Sequence, residues 1–161
     1  MKKRALITGC TGFVGSHLAE FLLYKDYEVH GLIRSRPDFK NIEHIKNKLI
    51  LHTGDLTDFY SLKKVLKESN PEEIYHLGAQ SYVPASWEQP IETFNTNVIG
   101  QINLLEAIRS VNSEIKIQIA CSSEEYGKVY PNETPITETN KLRPQSPYGV
   151  SKVAQDMLGQ Q

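Results

Sequence analysis

The sequence predicts an α/β fold in which a doubly wound parallel sheet carries crossover helices on both faces. Short apolar runs alternate with longer stretches of helical periodicity, as in chains built from strand–helix–strand units. A glycine-rich turn joins the first apolar run to the first helical stretch, where such folds need a tight turn. The 161 residues are enough for one domain with its own core.

Five short apolar runs are predicted as the strands of the sheet. They are Ala5–Thr8, Glu28–Ile33, Leu49–His52, Ile74–Leu77 and Ile115–Ala120. The stretches between them carry apolar residues at helical spacing, which predicts one buried face on each helix. Those faces comprise Val14, Leu18, Phe21 and Leu22, then Leu62, Val65 and Leu66, then Phe94, Val98, Ile102, Leu105 and Ile108.

The last predicted helix follows a proline-rich segment. Gly127–Pro147 contains four prolines and little periodicity, and a loop of this length in a compact domain is usually functional. Ser146 is a suitable N-cap for the helix, and Pro147 suits its first position.

The composition argues against several classes of partner. A formal net charge of -1, with 23% charged residues, gives no reason to expect nucleic acid or an anionic membrane surface. No apolar run approaches the roughly 20 residues of a membrane helix. Cys10 and Cys121 do not form a disulfide framework, which favours a reduced, cytoplasmic setting. Cysteine and histidine are not spaced as zinc ligands, so no metal is predicted.

The glycine-rich turn has the spacing G-x-x-G-x-x-G. Gly9 permits the tight turn, Gly12 leaves room for a pyrophosphate, and Gly15 lets the helix pack close to the strand. The N–H groups at the start of the helix would then face the phosphate charge. This pattern predicts a dinucleotide-binding turn. The alternative is that the glycines only form a tight strand-to-helix connection.

The residues after the second strand normally decide which dinucleotide is bound. An acidic residue there would hold the ribose 2′-hydroxyl of NAD, but this chain has Arg34 and Arg36. Two guanidinium groups suit a 2′-phosphate, so we predict NADP, with NAD as the alternative. A basic loop that is simply solvated would look the same in the sequence.

Tyr148 and Lys152 are the first candidate catalytic residues, because four residues place them about one helical turn apart. Free tyrosine titrates near pH 10, and a neighbouring positive charge stabilises its phenolate. Together with the dinucleotide turn, the pair predicts a hydride-transfer enzyme. The same spacing also occurs by chance, with the tyrosine half in a core and the lysine in solvent.

Ser122 and Glu124 are the second pair of candidates. They follow the fifth predicted strand, and ligands of open α/β sheets bind beyond the carboxyl ends of the strands. We therefore predict that Ser122 bonds a sugar oxygen and that Glu124 acts as an acid or base. The alternatives are that Ser122 caps the strand end and that Glu124 and Glu125 lie in a solvated turn.

Several segments of the chain resemble the extended short-chain dehydrogenase/reductases, within the NAD-dependent epimerase/dehydratase family. The resemblance covers essentially the whole chain. It is carried by Thr8–Gly15, Gly54–Leu56, His76–Gln80, Ser122–Gly127 and Tyr148–Lys152.

The resemblance narrows to the branch of the family that handles GDP-mannose. The segments similar to GDP-mannose 4,6-dehydratases are Leu18–Leu23, Tyr27–Gly31, Leu51–Asp58 and Leu77–Ser81. The segments more similar to GDP-4-keto-6-deoxymannose reductases are Ser122–Gly127 and Leu142–Lys152. The dehydratases usually have Gln-Asp in place of Phe13-Val14 and threonine in place of Ser122. Both departures are shared with the reductases and with epimerases.

The resemblance implies a Rossmann-type cofactor domain over residues 1–161. It also implies that the last sheet strands and the substrate domain of the longer family members lie outside this chain. It further implies a cytoplasmic homodimer or higher homo-oligomer that binds a nucleotide-diphosphate sugar. The implied cofactor residues are Gly9, Thr11, Gly12 and Phe13 at the pyrophosphate, Asp55 and Leu56 at the adenine, and Leu77, Gly78 and Ala79 on the ribose side. The predicted cofactor set also includes Val14, Gly15, Arg34, Arg36, Tyr148 and Lys152.

The same resemblance implies a reaction. In a dehydratase, Tyr148 takes the proton of the sugar 4-hydroxyl as hydride leaves C4, Lys152 tunes the tyrosine, and Ser122 shares its hydrogen bond. Glu124 removes the C5 proton, water leaves C6, and the hydride returns there. In a reductase, Tyr148 instead protonates a 4-keto oxygen. A 4-epimerase is a third alternative, and a dinucleotide-binding module without catalysis is an alternative of a different class.

Overall fold

The computed structural model describes residues 2–161, which divide into two compact units. The first, which we call the sheet unit, contains residues 2–78 and Ile102–Ala120. The second, which we call the helix unit, contains Ala79–Gln101 and Cys121–Gln161.

The sheet unit contains five parallel strands in the order β3-β2-β1-β4-β5. The strands are β1 (Arg4–Thr8), β2 (Glu28–Ile33), β3 (Ile50–Thr53), β4 (Glu73–His76) and β5 (Lys116–Ile119). This order is that of a Rossmann-type sheet, and it confirms the predicted α/β fold. Each predicted strand is present, with its ends moved by at most one residue. The ends follow the pairing register, in which Glu73 lies opposite both Ala5 and Lys116.

Apolar side chains cover both faces of the sheet, as expected for parallel strands buried on two sides. One face is packed by Leu6, Leu32, Leu62, Val65, Leu66, Ile74, Leu104, Ala107, Ile108 and Ile115. The other face is packed by Ala5, Ile7, Cys10, Ala19, Leu22, Val29, Ile42, Ile45 and Leu49. These two cores fix the strand ends from which the glycine-rich turn and the residues after β2 and β3 emerge.

Helix α1 (Phe13–Tyr24) buries only part of the predicted face: Leu22 is buried and Leu18 is half-buried, as predicted. Val14 and Phe21 are 60% and 54% exposed, so their assignment to the core was wrong. The buried residues are Gly15, Ser16, Ala19 and Leu22. Small residues let the helix axis approach the sheet closely. This close approach has a greater influence on which face is buried than the size of the apolar side chains.

Helix α2 (Phe59–Ser69) buries the predicted Leu62, Val65 and Leu66. Its start is capped by Asp58, whose carboxylate accepts hydrogen bonds from the backbone N–H groups of Tyr60 and Ser61. The cap fixes the point at which the chain leaves the segment after β3.

The long amphipathic helix predicted around residues 94–108 is interrupted. It forms α4 (Pro90–Phe94), a π-helical turn over Asn95–Ile99, and α5 (Gly100–Val111). The extra residue of a π turn rotates the helix face. Of the predicted apolar face only Ile108 is fully buried, while Phe94, Val98, Ile102 and Leu105 are half-buried. Within residues 93–101 of this stretch, the buried side chains are instead the polar Thr93, Asn97 and Gln101.

The remaining helices of the helix unit are α3 (Val83–Glu88) and α6 (Pro147–Gln160). The start of α6 agrees with the prediction, because the Ser146 hydroxyl accepts the N–H of Gly149 at 3.0 Å and Pro147 occupies the first turn. Among residues 2–161, no helix combines the length and apolar character needed to cross a bilayer.

Candidate active site

The glycine-rich turn has the backbone geometry that its sequence predicts. Gly9 has a positive φ of +73°, and the N–H of Gly12 closes the turn onto the Gly9 carbonyl at 3.0 Å. A Cβ on Gly15 would lie 2.2 Å from that carbonyl oxygen, so no larger residue fits. A Cβ on Gly12 would meet only the Gly9 oxygen, at 3.2 Å, and would otherwise enter open space. The turn is therefore closed at Gly15 and open at Gly12.

The start of α1 offers its N–H groups without a competing side chain. Gly12 is the N-cap and supplies no side-chain cap, and the first turn contains no acidic residue. Phe13 and Val14 are exposed there, and Thr11 is half-buried. Uncapped N–H groups at a helix N-terminus favour an anion. Sequence reasoning missed Asn41, whose amide donates to the Thr11 carbonyl at 2.9 Å and anchors the turn.

The residues after β4 lie beside the glycine-rich turn. The Thr8 hydroxyl accepts the N–H of Gly78 at 2.9 Å, and a Cβ on Gly9 would lie 2.9 Å from the same nitrogen. A Cβ on Gly78 would lie 3.3 Å from the Leu56 side chain. The sheet unit thus brings together residues predicted for the pyrophosphate, the adenine and the ribose. Leu77 and Ala79, the other two ribose candidates, are half-buried on either side of Gly78 in the sequence.

The predicted adenosine residues also lie near one another. Arg34 and Arg36 are exposed after the end of β2. Asp55 accepts hydrogen bonds from the backbone N–H of Thr57 at 2.8 Å and from its hydroxyl at 2.7 Å. These bonds, with a contribution from the positive charge of Arg34, lower the pKa of Asp55. Asp55 is therefore close enough to Arg34 to be affected by its charge.

All four candidate catalytic residues belong to the helix unit. Ser122 caps the short 3₁₀ turn Ser123–Glu125, since its hydroxyl accepts the N–H of Glu124 at 3.2 Å. Capping, the alternative considered for this serine, therefore occurs. The capping bond uses the Ser122 hydroxyl oxygen as an acceptor, so the hydroxyl proton can still be donated in a further hydrogen bond.

The Ser123–Glu125 turn packs directly against the first turn of α6. A Cβ on Gly149 would lie 2.7 Å from the carbonyl oxygen of Glu124. Gly149 is the residue after Tyr148, so the close contact brings Ser122 and Glu124 next to the helix turn that carries the tyrosine. Tyr148, Ser122 and Glu124 are all half-buried.

Glu125 does not lie in a solvated turn, which was the alternative for Glu124 and Glu125. It is 5% exposed, and its carboxylate accepts the N–H of Ser122 at 2.8 Å. Burial raises the pKa of Glu125, and Asp156 raises it further, while the bond from Ser122 and the charge of Lys152 oppose that rise. For this residue the solvated-turn alternative is wrong.

Lys152 does not lie in solvent, so that alternative is wrong too. It is 3% exposed, and its ammonium donates to Gln155 Oε1 at 2.6 Å. Burial lowers the pKa of Lys152, and electrostatic interactions with the titratable groups of Cys121 and Glu125 oppose that change. Burial also raises the pKa of the Cys121 thiol to about 11, so Cys121 is protonated at neutral pH.

A buried amide ties α6 to the π-helical turn. Asn97 accepts the N–H of Gln80 at 2.8 Å and donates to the hydroxyl of Ser151 at 2.9 Å. Ser151 in turn donates to the main-chain carbonyl of Tyr148 at 2.7 Å. Sequence reasoning missed Asn97. The available signal was a run of polar residues at helical spacing within an otherwise apolar helix.

The long loop before α6 is held by its own polar contacts. Arg143 donates to both carboxylate oxygens of Glu133, at 2.8 and 2.6 Å, and also to the Lys128 carbonyl at 3.0 Å. The arginine lowers the pKa of Glu133 to about 2. Gly127 has a φ of +53°, and a Cβ there would lie 2.0 Å from the Arg143 carbonyl oxygen. Among residues 2–161, no group of three or more side chains is arranged to hold a metal ion.

A family model described as GDP-mannose 4,6 dehydratase matches residues 6–161, nearly the whole chain. The chain belongs to the GDP-mannose 4,6-dehydratase family. Curated relatives include a GDP-mannose 4,6-dehydratase of Vibrio cholerae, 48% identical over 95% of this chain and 44% of its own length. The human GDP-mannose 4,6 dehydratase is 45% identical over 92% of this chain and 43% of its own length. The chain therefore spans less than half the length of these relatives.

Solved structures support the fold of this member of the GDP-mannose 4,6-dehydratase family. The UDP-glucose 4-epimerase of Thermus thermophilus in complex with NAD superposes with a TM-score of 0.85 at 33% identity. The match covers 98% of this chain and 50% of the epimerase chain. The UDP-glucose 4-epimerase of Thermotoga maritima with UDP-glucose gives 0.84 at 28% identity, and that match covers 97% of this chain and 50% of the other.

Proposed function

We propose that this chain supplies the cofactor-binding and proton-transfer residues of a GDP-mannose 4,6-dehydratase, as the NAD(P)-binding domain formed by residues 1–161. The observation that carries the proposal is the packing of the Ser122–Glu125 segment against α6 at Gly149, beside Tyr148, in a chain of this family. The substrate is GDP-mannose, and the product is its 4-keto-6-deoxy derivative.

The glycine-rich turn fits a dinucleotide pyrophosphate. Gly12 borders open space, and the N-terminal N–H groups of α1 have no side-chain cap. These residues would hold NADP, which would supply a hydride acceptor for C4 of the sugar and a hydride donor for C6. On this proposal the phosphates lie against Gly9–Gly15, and Leu56 and Gly78 border the adenosine.

The helix-unit residues move the protons of the reaction. Tyr148 takes the proton of the 4-hydroxyl as the C4–H bond breaks, and the Ser122 hydroxyl bonds the same sugar oxygen. Lys152, one helical turn along α6, supplies a positive charge that supports proton transfer at the Tyr148 oxygen.

The 4-keto group then acidifies the C5 proton, which Glu124 removes. The C6 hydroxyl leaves with a proton as water, and hydride at C6 with a proton at C5 completes the product. Carbon 4 is oxidised and carbon 6 is reduced, so the sum of the steps is loss of one water without net use of cofactor.

The assay that tests this function uses the full-length enzyme, with GDP-mannose and a catalytic amount of NADP. We expect a 4-keto-6-deoxy sugar nucleotide without accumulation of NADPH. A requirement for a keto substrate and stoichiometric NADPH would instead identify a reductase. Inversion at C4 with no loss of water would identify a 4-epimerase, the activity named for the solved neighbours.

Arg34 and Arg36 lead us to propose NADP as the preferred cofactor. Replacing both by alanine should weaken NADP binding by roughly 10- to 100-fold, because each guanidinium loses a charge-assisted bond to the 2′-phosphate. NAD binding should change little. Arg109→Ala is the matched control, since Arg109 is an exposed arginine on α5 that pairs with Glu106. Tighter binding of NAD than of NADP by the unaltered chain at low salt would remove this proposal.

The proposal also covers the cellular compartment and the oligomeric state of the enzyme. The sequence has two cysteines, Cys10 and Cys121, and no framework of paired cysteines, which supports a reducing compartment such as the cytoplasm. We further propose a homodimer or higher homo-oligomer, with a nucleotide-diphosphate sugar as the small-molecule partner.

A further inference from the structure

Two buried glutamines form a hydrogen-bonded pair beside Lys152. Gln101 and Gln155 are 0% and 1% exposed, and both belong to the helix unit. Gln155 Nε2 donates to Gln101 Oε1 at 2.9 Å, and Gln101 Nε2 donates to the main-chain carbonyl of Gln155 at 2.6 Å. Gln155 Oε1 accepts from the ammonium of Lys152 at 2.6 Å. Burying two long polar side chains is costly unless their bonds are made.

The donors and acceptors permit one orientation of both amides. An ammonium can only donate, so the oxygen of Gln155 has to face Lys152. The Gln155 nitrogen then faces Gln101, whose oxygen must accept it, and the Gln101 nitrogen is left to bond the Gln155 carbonyl. Turning either amide around would place a donor against a donor. The pair is therefore a directional chain that ends at the Lys152 ammonium.

The acceptor at position 155 is neutral, although other elements bring charges towards the same ammonium. The Glu125 carboxylate acts on it from the segment that packs against α6, and the titratable thiol of Cys121 lies on the same segment. Glu92 of α4 and Glu88 of α3, the two helices that also pack against α6, are exposed. Gln155 thus accepts a hydrogen bond from the ammonium without adding a negative charge. Since an ammonium has three N–H donors, this bond is compatible with others.

We propose that Gln155, oriented by Gln101, is the positioning residue for Lys152: it fixes the ammonium on α6 one turn from Tyr148 and serves as an uncharged acceptor for it. The consequence for catalysis rests on the proposed function, because that function assigns Lys152 its effect on the tyrosine. The placement of the ammonium itself does not depend on the proposed function.

The first experiment measures the pKa of Lys152 directly in the chain without cofactor. Lysine labelled with ¹³C at Cε is followed by NMR as pH is varied, and Lys152→Arg identifies the signal. Gln155→Glu should raise the pKa by about one to two pH units, because a carboxylate replaces the neutral acceptor. Gln155→Leu should lower the pKa, because the buried ammonium loses one hydrogen-bond acceptor.

Gln161→Glu is the matched control, because it adds the same charge at the exposed C-cap of α6. It should leave the Lys152 pKa within about 0.3 units of the original. Gln155→Glu keeps the side-chain volume, so the test does not depend on the folding of the leucine variant. An unchanged Lys152 pKa in Gln155→Glu would overturn the proposal.

The second experiment separates positioning from mere packing. In the enzyme at the length that its gene encodes, loss of the Lys152 charge ends activity at high pH. Gln155→Glu should therefore shift the alkaline limb of the kcat profile upward, and Gln155→Leu should shift it downward, with little change in the KM for GDP-mannose. If the pKa of Lys152 moves while the rate profile stays fixed, Gln155 still positions the ammonium, and the catalytic role proposed for Lys152 is wrong. If only the KM changed, while the kcat profile and the pKa of Lys152 stayed the same, Gln155 would be a packing residue and not a positioning residue.

Discussion

Replacing Tyr148 by phenylalanine is expected to lower turnover of GDP-mannose by roughly 10²- to 10⁴-fold, the usual contribution of a positioned acid–base group. Cofactor affinity should stay within about threefold, because the phenol supplies only one of many contacts. Tyr148 is half-buried at the start of α6, so the change removes one oxygen and leaves the ring in place. Single-turnover kinetics and a fluorescence titration with NADPH give the two quantities separately.

The control for this variant is Tyr126→Phe. Tyr126 is another half-buried tyrosine of the helix unit and follows the Ser123–Glu125 turn directly. Its hydroxyl has no part in the proposed chemistry, so turnover should fall by less than about twofold. Unaltered turnover in Tyr148→Phe would show that the catalytic assignment is wrong. Cofactor binding without turnover in the unaltered enzyme would favour a binding module.

The second large effect is expected from two alanine substitutions in the glycine-rich turn. Gly15→Ala places a methyl group 2.2 Å from the Gly9 carbonyl oxygen, which is backbone and has little room to shift. We expect the free energy of unfolding to fall by about 3 kcal/mol, as for a severely overpacked site. Cofactor binding should be lost together with the fold of the turn.

Gly12→Ala makes the matched comparison in the same turn. Its methyl group would meet one atom at 3.2 Å, and Gly12 has an ordinary φ of −76°. Stability should therefore change by less than about 1 kcal/mol. Cofactor affinity should nevertheless fall by at least about tenfold, because the methyl group occupies the space proposed for the pyrophosphate.

Chemical denaturation measures the stability of both alanine variants, and equilibrium titration measures their cofactor binding. If a folded Gly12→Ala chain bound the cofactor as tightly as the unaltered chain, the glycines would serve only to form a tight turn, and the proposed pyrophosphate site would be wrong. Equal stability of the two variants would contradict the geometry at Gly15.

Local chemistry was sufficient to predict the sheet and the ends of several elements. Parallel strands buried on two faces have near-continuous apolar runs, so β1 to β5 were visible in the sequence. The cap at Ser146 and the turn at Gly9 also depend on residues close in the chain. These features need little information about which segments meet in space.

The features that sequence analysis missed depend on tertiary neighbours. The buried face of α1 is set by how closely Gly15 and Ala19 let the helix approach the sheet, and large apolar residues such as Phe21 were a poor guide to it. The π-helical turn rotates one stretch of helix against the next, so a single periodicity could not describe both. The polar residues Asn97, Gln101 and Gln155 are buried only because partners elsewhere in the helix unit complete their hydrogen bonds.

The candidate catalytic residues fall between these two cases. Their identities could be proposed from sequence spacing and family resemblance, and the packing at Gly149 places Ser122 and Glu124 beside the Tyr148 turn. The environment of Lys152 could not be predicted, because its burial depends on the segment around Glu125 and on Gln155. Burial changes what the lysine can do, since it makes the ammonium more sensitive to each neighbouring charge.

The most direct measurement follows a deuterium atom placed at C4 of the mannose ring in GDP-mannose. The enzyme at the length that its gene encodes is incubated with this substrate and catalytic NADP, and the product is analysed by NMR and mass spectrometry. The proposed reaction predicts a 4-keto-6-deoxy product with the deuterium at C6. Deuterium left on the cofactor, or recovered at C4 of an epimerised sugar, would contradict the account.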